Sequence, residues 1–288
     1  MDRLLTKVPS IRLQHKIKNP VVFVANLSAA QYKAAGDTFY KPMMRAIKYQ
    51  PNVDQSKVHF LPNVVRQDFT VEKRAEMLAD HIKTNFKNQK VHLVGHSFVG
   101  IDLRAATGMM GLGSDHVKSV TTLSSPHLGC RLVDQTMKYP EHFEAHRLEK
   151  AYEMLGMSGS NVVEFNSVNM GHFNEVCADV KGVGYYSFGS KKKEMHINEL
   201  LRPGYAIITE HKINYECDGI IETNECRWGQ YLVTFDHDHF ELAGFNPQVR
   251  PTHVANLFTD NIRYCELQQD GDKSIEKSGT GQKKKTKA

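Results

Sequence analysis

Short apolar runs alternate with stretches of helical periodicity along most of the chain. Continuous runs rich in β-branched residues predict buried strands at residues 21–27, within 58–64, and at 91–94, 117–124, 185–188 and 205–209. Apolar residues at helical spacing predict helices within residues 29–47, 71–86, 99–110 and 254–267. The helix at 71–86 is the clearest, because Val71, Ala75, Leu78 and Ile82 share one face and Thr70 is a suitable N-cap. This alternation is typical of the α/β class, with a mostly parallel sheet covered on both faces.

The distribution of loop and linker residues along the chain predicts one domain. No linker divides residues 21–268, which follow a basic lead-in (1–20) and precede a disordered basic tail (269–288). No run reaches the roughly 18 apolar residues that cross a bilayer, and the lead-in lacks the apolar centre of a secretory signal peptide. The net charge of +5 is modest. Short basic tails are weak signals, so we expect no nucleic-acid partner, although residues 283–285 could touch anionic lipid.

Cysteine usage indicates a reducing compartment. The chain has five cysteines, an odd number without a tight disulfide framework. We therefore expect free thiols and an intracellular protein, either cytoplasmic or mitochondrial. Asp2 and the shortness of the lead-in argue against a mitochondrial presequence.

The candidate chemistry begins at residues 95–100, GHSFVG, directly after the strand at 91–94. Strand, Gly-His-Ser and helix together match the nucleophile elbow G-x-S-x-G, with Ser97 as the nucleophile. A serine hydroxyl needs a histidine to accept its proton, and the histidine needs a carboxylate to orient it. In this architecture the acid and then the histidine follow the serine. Asp218, before a glycine, is the candidate acid, and His237 and His239 are the candidate histidines.

Six blocks in one order resemble the triacylglycerol lipases of the α/β-hydrolase fold, both bacterial true lipases and mitochondrial relatives in yeasts. They are PVVFVANL (20–27), VHLVGHSFVGIDLRA (91–105), VTTLSSPHLG (120–129), GVGYYSFG (182–189), DGIIETNECRWG (218–229) and DHFELAG (238–244). The resemblance implies a mostly parallel sheet with helices on both faces and a helical lid at about 127–165.

The resemblance also implies an activity, the hydrolysis of carboxylic esters of lipids through a Ser97–Asp218–His239 triad and an acyl-enzyme. The backbone N–H groups of Leu27 and Phe98 would bind the oxyanion. His239 is preferred because it precedes Phe-Glu-Leu, as the family's histidine precedes an acidic position, and His237 is held in reserve. The implied partners are a lipid ester substrate and, transiently, a lipid surface. No cofactor is expected.

Two departures from the family pattern bear on activity. Ala25-Asn26 stands where the family has His-Gly, and asparagine tolerates the positive φ that glycine adopts there. Val99 stands where the elbow has its last glycine, and the extra bulk has to be absorbed by its neighbours, which typically costs about 1–3 kcal/mol. These departures leave open a degraded hydrolase that binds lipid or a partner protein. A phospholipase, a thioesterase and a short-chain esterase also stay open.

Two further features of the family are expected to be absent or altered. Bacterial relatives hold calcium near DHFELAG through an aspartate two residues after the histidine. Here that residue is Glu241, no second ligand is evident, and no metal is assigned. If residues 236–239 lie on a strand, at most two alternate side chains can converge on an ion. Cys177 and Cys226 lie near the family's disulfide positions but are expected to be free, while His96 and His127 are expected to be structural.

Overall fold

A computed structural model of the chain describes residues 15–25, 41–62, 69–139, 161–209, 215–244 and 252–269. Within these residues one six-stranded sheet has the order β2-β1-β3-β4-β5-β6, and every neighbouring pair is parallel. The strands are β1 Val21–Ala25, β2 Val58–Pro62, β3 Val91–His96, β4 Val117–Leu123, β5 Gly184–Lys191 and β6 Gln230–Asp236. The strand order reverses between β1 and β3, and the carboxyl edge beside such a switch point is where open α/β sheets bind ligands.

Nine α-helices are described. They are α1 Lys41–Lys48, α2 Val71–Asn85, α3 Val99–Gly108, α4 Gly113–His116, α5 Arg131–Lys138, α6 Ser167–Val176, α7 Arg202–Thr209, α8 His239–Leu242 and α9 Thr252–Gln269. Short 3-10 turns lie at Gln55–Lys57, Val162–Phe165, Glu194–His196 and Glu199–Leu201. The helix α2 begins as predicted, because the Thr70 hydroxyl accepts a hydrogen bond from the Lys73 N–H at 3.3 Å.

The sheet is buried on both faces, which explains its continuous apolar strands. Along β1, Val22 and Val24 contribute to a core shared with helices α2 and α3, whereas Phe23 contributes to a second core shared with α1 and α9. All five residues of β1 are buried. The predicted α/β class with a mostly parallel sheet is therefore confirmed.

One predicted element is wrong. Residues 205–209, YAIIT, were expected to form a strand because of their β-branched run, but they form the end of helix α7. Gly204 in the first turn of this helix lies against the loop that carries Asp218, where a Cβ atom would lie 2.3 Å from the carbonyl oxygen of Gly219. This close packing, with Ile208 buried, outweighs the local strand preference.

Several predictions fall partly or wholly outside the described residues. Of the expected lid at 127–165, the structure describes 127–139 and 161–165, which contain α5 and the Val162–Phe165 turn. The lid as such, the single domain, the lead-in and the tail stay predictions, as does the part of the 29–47 helix before Lys41. Among the described helices, none is long and apolar enough to span a membrane.

The side chain of Glu266, in α9, fastens the segment before β1 to the sheet. This carboxylate accepts backbone hydrogen bonds from Lys18 and Asn19 at 2.9–3.1 Å and lies within hydrogen-bond distance of the His15 and His92 rings. Burial opposes ionisation, but the His92 ring and these donors prevail and lower the pKa of Glu266 to about 2. The Glu266 clamp thus joins α9, β3 and the approach to β1.

Candidate active site

Ser97 occupies the turn between β3 and α3, at the carboxyl edge of the sheet. Its φ is 60°, a left-handed conformation that costs an L-residue roughly 1–2 kcal/mol. Its N–H donates to the carbonyl oxygen of Leu123, at the end of β4, at 2.8 Å. The turn is therefore held by the neighbouring strand, and its shape is that of the predicted nucleophile elbow.

Gly100 follows the position at which the elbow motif has its last glycine, and it lies where α3 closely approaches the end of β4. A Cβ atom there would lie 2.1 Å from Ser125 Oγ, so no larger residue fits without movement. The Val99 side chain is buried and instead packs beside Gly95, where a Cβ atom would lie 3.2 Å from Val99 Cγ1. The bulk of Val99 is therefore accommodated by the absence of a side chain at Gly95.

The three residues chosen from the sequence lie together, although 121 and 142 residues separate Ser97 from Asp218 and His239. His239 Nε2 lies 3.0 Å from Ser97 Oγ, and His239 Nδ1 lies 2.8 Å from Asp218 Oδ2. An ionised carboxylate only accepts, so Nδ1 carries the proton and Nε2 is left to accept the serine proton. Asp218 and His239 are almost completely buried.

Asp218 is held by four donors besides its own backbone contacts. Oδ2 also accepts from Ser190 Oγ at 2.8 Å, and Oδ1 accepts from the N–H groups of Ile220 and Ile221 at 3.0 and 2.9 Å. Burial opposes ionisation, but the adjacent His239 and these hydrogen bonds lower the pKa of the Asp218 carboxyl. Asp218 is therefore a carboxylate at neutral pH. Ser190, in β5, was missed from the sequence because a serine inside a strand carries no local signal.

His239 is the first residue of the one-turn helix α8, and a capping box begins that helix. The Asp238 carboxylate accepts from the N–H groups of Phe240 and Glu241, while the Glu241 carboxylate accepts from the N–H of Asp238 at 3.1 Å. The Asp-x-x-Glu spacing is visible in the sequence and could have predicted this helix. The strand considered for residues 236–239 is not formed, because β6 ends at Asp236.

The other histidines have different surroundings. In the part of the chain that the structure describes, His237 is hydrogen-bonded to neither Ser97 nor Asp218, so the geometry favours His239. The centroids of the His96 and His239 rings lie 4.2 Å apart. Burial, and after it the nearby His239, lowers the pKa of His96 well below the usual value. His127 is buried and lies 2.8 Å from Thr122 Oγ1, as a structural histidine would.

Of the two expected oxyanion donors, one is described. Phe98 directly precedes α3, where backbone N–H groups have no partner within the helix, and its ring lies 4.3 Å from that of Phe165. Leu27 and Asn26 lie outside the described residues. The last described residue before them, Ala25, ends β1 on the edge that also carries Ser97, because Val24 pairs with Gly95 across the sheet.

The described residues also bear on metal and disulfide chemistry. Among the described residues no three His, Cys, Asp or Glu side chains converge as metal ligands. All five cysteines lie in described segments. They are free, as predicted, including Cys177 and Cys226, and all are buried. Burial raises the pKa of the Cys226 thiol well above its usual value, which disfavours the reactive thiolate.

Comparison with known proteins agrees with this architecture. Residues 58–177 match the family described as PGAP1-like alpha/beta domain. The chain is 22% identical over 196 residues to triacylglycerol lipase 2 of Saccharomyces cerevisiae, a match covering 68% of this chain and 58% of that protein. It therefore spans little more than half the length of this relative.

Two solved structures have closely similar folds. A lipase of Bacillus licheniformis, in its mature form, has a TM-score of 0.64 and 21% identity, covering 86% of this chain and 94% of the lipase. A metagenomic carboxyl esterase has a TM-score of 0.67 and 15% identity, covering 88% of this chain and 77% of the esterase. Together with the parallel sheet and the strand–serine–helix turn, these similarities identify the chain as an α/β-hydrolase-fold protein that resembles lipases.

Proposed function

We propose that this protein is a serine hydrolase that cleaves carboxylic esters of lipids, with Ser97, His239 and Asp218 as its catalytic triad. The observation that carries the proposal is the continuous hydrogen-bonded path from Ser97 Oγ through both ring nitrogens of His239 to Asp218 Oδ2, at 3.0 and 2.8 Å. The left-handed conformation of Ser97 at the sharp turn supports it, because strained backbone conformations cluster at active sites.

The reaction follows from the direction of these hydrogen bonds. Ser97 Oγ attacks the ester carbonyl carbon as His239 Nε2 takes its proton, and Asp218 stabilises the resulting imidazolium. His239 then gives the proton to the departing alcohol, leaving an acyl group on Ser97 Oγ. Water, deprotonated by His239, attacks this acyl-enzyme, releases the fatty acid and returns the proton to Ser97.

The negative charge on the carbonyl oxygen needs donors at the same edge of the sheet. The Phe98 N–H and the Leu27 N–H are proposed for this role, and losing one such donor typically costs about 3 kcal/mol of transition-state stabilisation. A backbone donor survives any side chain except proline. The Ala25-Asn26 departure therefore affects the shape of the loop and leaves this chemistry available.

A lipid ester is the proposed substrate class. The yeast relative is a triacylglycerol lipase, and the Phe98 and Phe165 rings give the serine turn apolar neighbours. Ser97 is only 6% exposed, which supports a site with a covering element. The proposed covering element is the lid at about 127–165, which would open on transient contact with a lipid surface. The proposed enzyme acts inside the cell.

The test compares Ser97→Ala with the wild type on p-nitrophenyl esters of increasing acyl length, with and without an oil–water interface. We expect Ser97→Ala to abolish hydrolysis and labelling by a fluorophosphonate probe while keeping the wild-type fold. Ser114→Ala, a serine change before β4 and away from the carboxyl edge of the sheet, serves as the matched control. A wild type that neither labels nor hydrolyses would indicate the degraded, lipid-binding alternative. The preferred acyl length and head group would separate a triglyceride lipase from a short-chain esterase or phospholipase.

A further inference from the structure

Lys192 directly follows β5 and contacts both loops that carry the histidine and the acid. Its N–H donates to the carbonyl oxygen of Cys217, the residue before Asp218, at 3.0 Å. Its ammonium group donates to Glu241 Oε2 at 2.9 Å and to the carbonyl oxygen of Asp236 at 3.3 Å. One residue therefore holds the loop before Asp218, the end of β6 and the helix that begins at His239.

The Glu241 carboxylate that Lys192 contacts also helps to shape the start of α8. Its Oε2 accepts from Lys192 Nζ and from the Asp238 N–H, so the two contacts share one oxygen. Asp238 in turn accepts from the N–H of Asn198 at 3.0 Å, which ties the same turn to the segment after β5. A change in the charge of this oxygen is therefore felt at the residue next to His239.

The backbone of His239 completes the connection. Its N–H donates to the carbonyl oxygen of Asp218 at 3.0 Å, so the two residues are joined through their main chains as well as their side chains. Lys192 contacts the residue before Asp218 and the helix of His239, and so supports both sides of this link.

The burial of the Lys192–Glu241 pair indicates that this ion pair contributes to the local structure. Its side chains are 17% and 9% exposed, whereas the neighbouring pair of Lys191 with Glu216 is 43% and 56% exposed. An exposed pair contributes little, because water and salt screen it. Removing one member of a largely buried pair is destabilising, because the remaining charge loses its partner of opposite sign. Loss of the Lys192 ammonium would therefore disturb the Glu241 carboxylate and with it the capping box.

We infer that Lys192 is a positioning residue, which holds the Asp218 loop and the His239 helix at the separation that the Ser97 hydrogen bond requires. This inference rests on the proposed function, since it assigns Lys192 a part in the same reaction. Lys192 touches no reacting atom. It acts through Glu241 and through the backbone of Cys217.

The decisive variants are Lys192→Met, which keeps the aliphatic stem and removes the charge, and Lys192→Arg, which keeps the charge. For Lys192→Met we expect kcat on p-nitrophenyl butyrate to fall by about 10-fold to 100-fold with KM nearly unchanged, because misplacement of catalytic groups by about 1 Å has effects of that size. Lys192→Arg should keep most of the wild-type kcat. The matched control, Lys191→Met, removes the exposed pair and should change kcat by no more than about twofold.

A second readout reports on the site without substrate. The proton between His239 Nδ1 and Asp218 should give a low-field proton NMR resonance, identified by its loss in Asp218→Asn. We expect this resonance to broaden or disappear in Lys192→Met and to persist in Lys192→Arg and Lys191→Met. A purely structural role would lower the melting temperature of Lys192→Met without altering kcat per folded molecule or this resonance.

The inference is overturned if Lys192→Met keeps the wild-type kcat and resonance, or if Lys191→Met loses as much as Lys192→Met. Failure of the proposed function has a different signature, a wild type that is inactive towards esters and the fluorophosphonate probe. The resonance of His239 would still decide the positioning role in that case.

Discussion

Replacing Asp218 by asparagine is the sharpest test of how the site holds its histidine. The carboxylate accepts four hydrogen bonds, two from backbone N–H groups of Ile220 and Ile221 on Oδ1, and two from Ser190 and His239 on Oδ2. An asparagine keeps only one accepting oxygen. The pair of backbone donors cannot move, so we expect the amide oxygen to face them and the amide nitrogen to face His239.

This arrangement reverses the direction of the hydrogen bond to the imidazole. The amide N–H would donate to His239 Nδ1, which requires the ring to carry its proton on Nε2, and a protonated Nε2 cannot accept the Ser97 proton. A histidine held in the wrong tautomer by such a substitution typically loses about 10⁴-fold in kcat. That factor corresponds to about 5 kcal/mol in the activation free energy. The KM should change little, because Asp218 touches no part of the substrate.

The assay measures kcat and KM of Asp218→Asn on p-nitrophenyl butyrate at neutral pH, with the rate of fluorophosphonate labelling as a second measure. Asp236→Asn, which makes the same change in an exposed residue at the end of β6, is the control and should behave as the wild type. Thermal unfolding should show that both variants are folded. Activity of Asp218→Asn within about tenfold of the wild type would refute the tautomer argument.

Three further predictions concern stability. Ser97→Gly should have a free energy of unfolding about 1 kcal/mol above that of Ser97→Ala in urea titrations, because glycine relieves the strain at φ 60° and alanine keeps it; equal stabilities would contradict a strained turn. Folding lowers the pKa of Glu266 to about 2. The ionised carboxylate therefore stabilises the fold fully at pH values above the pKa of the unfolded chain, and this stabilisation is lost as pH falls through the folded pKa. Between about pH 5 and pH 2 the wild type should therefore lose about 3 kcal/mol more than Glu266→Gln, and parallel pH profiles would argue against the clamp. Gly100→Ala should cost about 3 kcal/mol, because its Cβ would lie 2.1 Å from Ser125 Oγ, and a fully stable variant would show that α3 can shift.

The sequence predicted those parts of the fold whose signals are local. The strand at 91–94 is a continuous apolar run because β3 is covered on both faces, and the helix after Thr70 has a cap and a single apolar face. Where tertiary packing decides, the same reasoning gave a wrong result. The run YAIIT has strand preference, yet it is helical because Gly204 allows α7 to pack against the backbone at Gly219.

The candidate site was predictable only in part. Ser97, Asp218 and His239 were found through motifs and chain order, and the structure brings them within hydrogen-bond distance. Ser190 and Lys192 were not found, because their roles depend on where β5 ends relative to the loops beside it. Such contacts join residues 28 and 49 positions apart, and no periodicity or spacing in the chain encodes them.

The Glu266 clamp has a mechanical consequence. It joins Lys18 to a helix 248 residues later, and the strands that carry the candidate site lie between these points along the chain. A pulling force applied across residues 15 and 269 would therefore be borne first by the hydrogen bonds around Glu266, away from the carboxyl edge of the sheet. While those bonds hold, the turns of Ser97 and His239 carry little tension, so the protein could be tethered by these two points with its candidate site undisturbed.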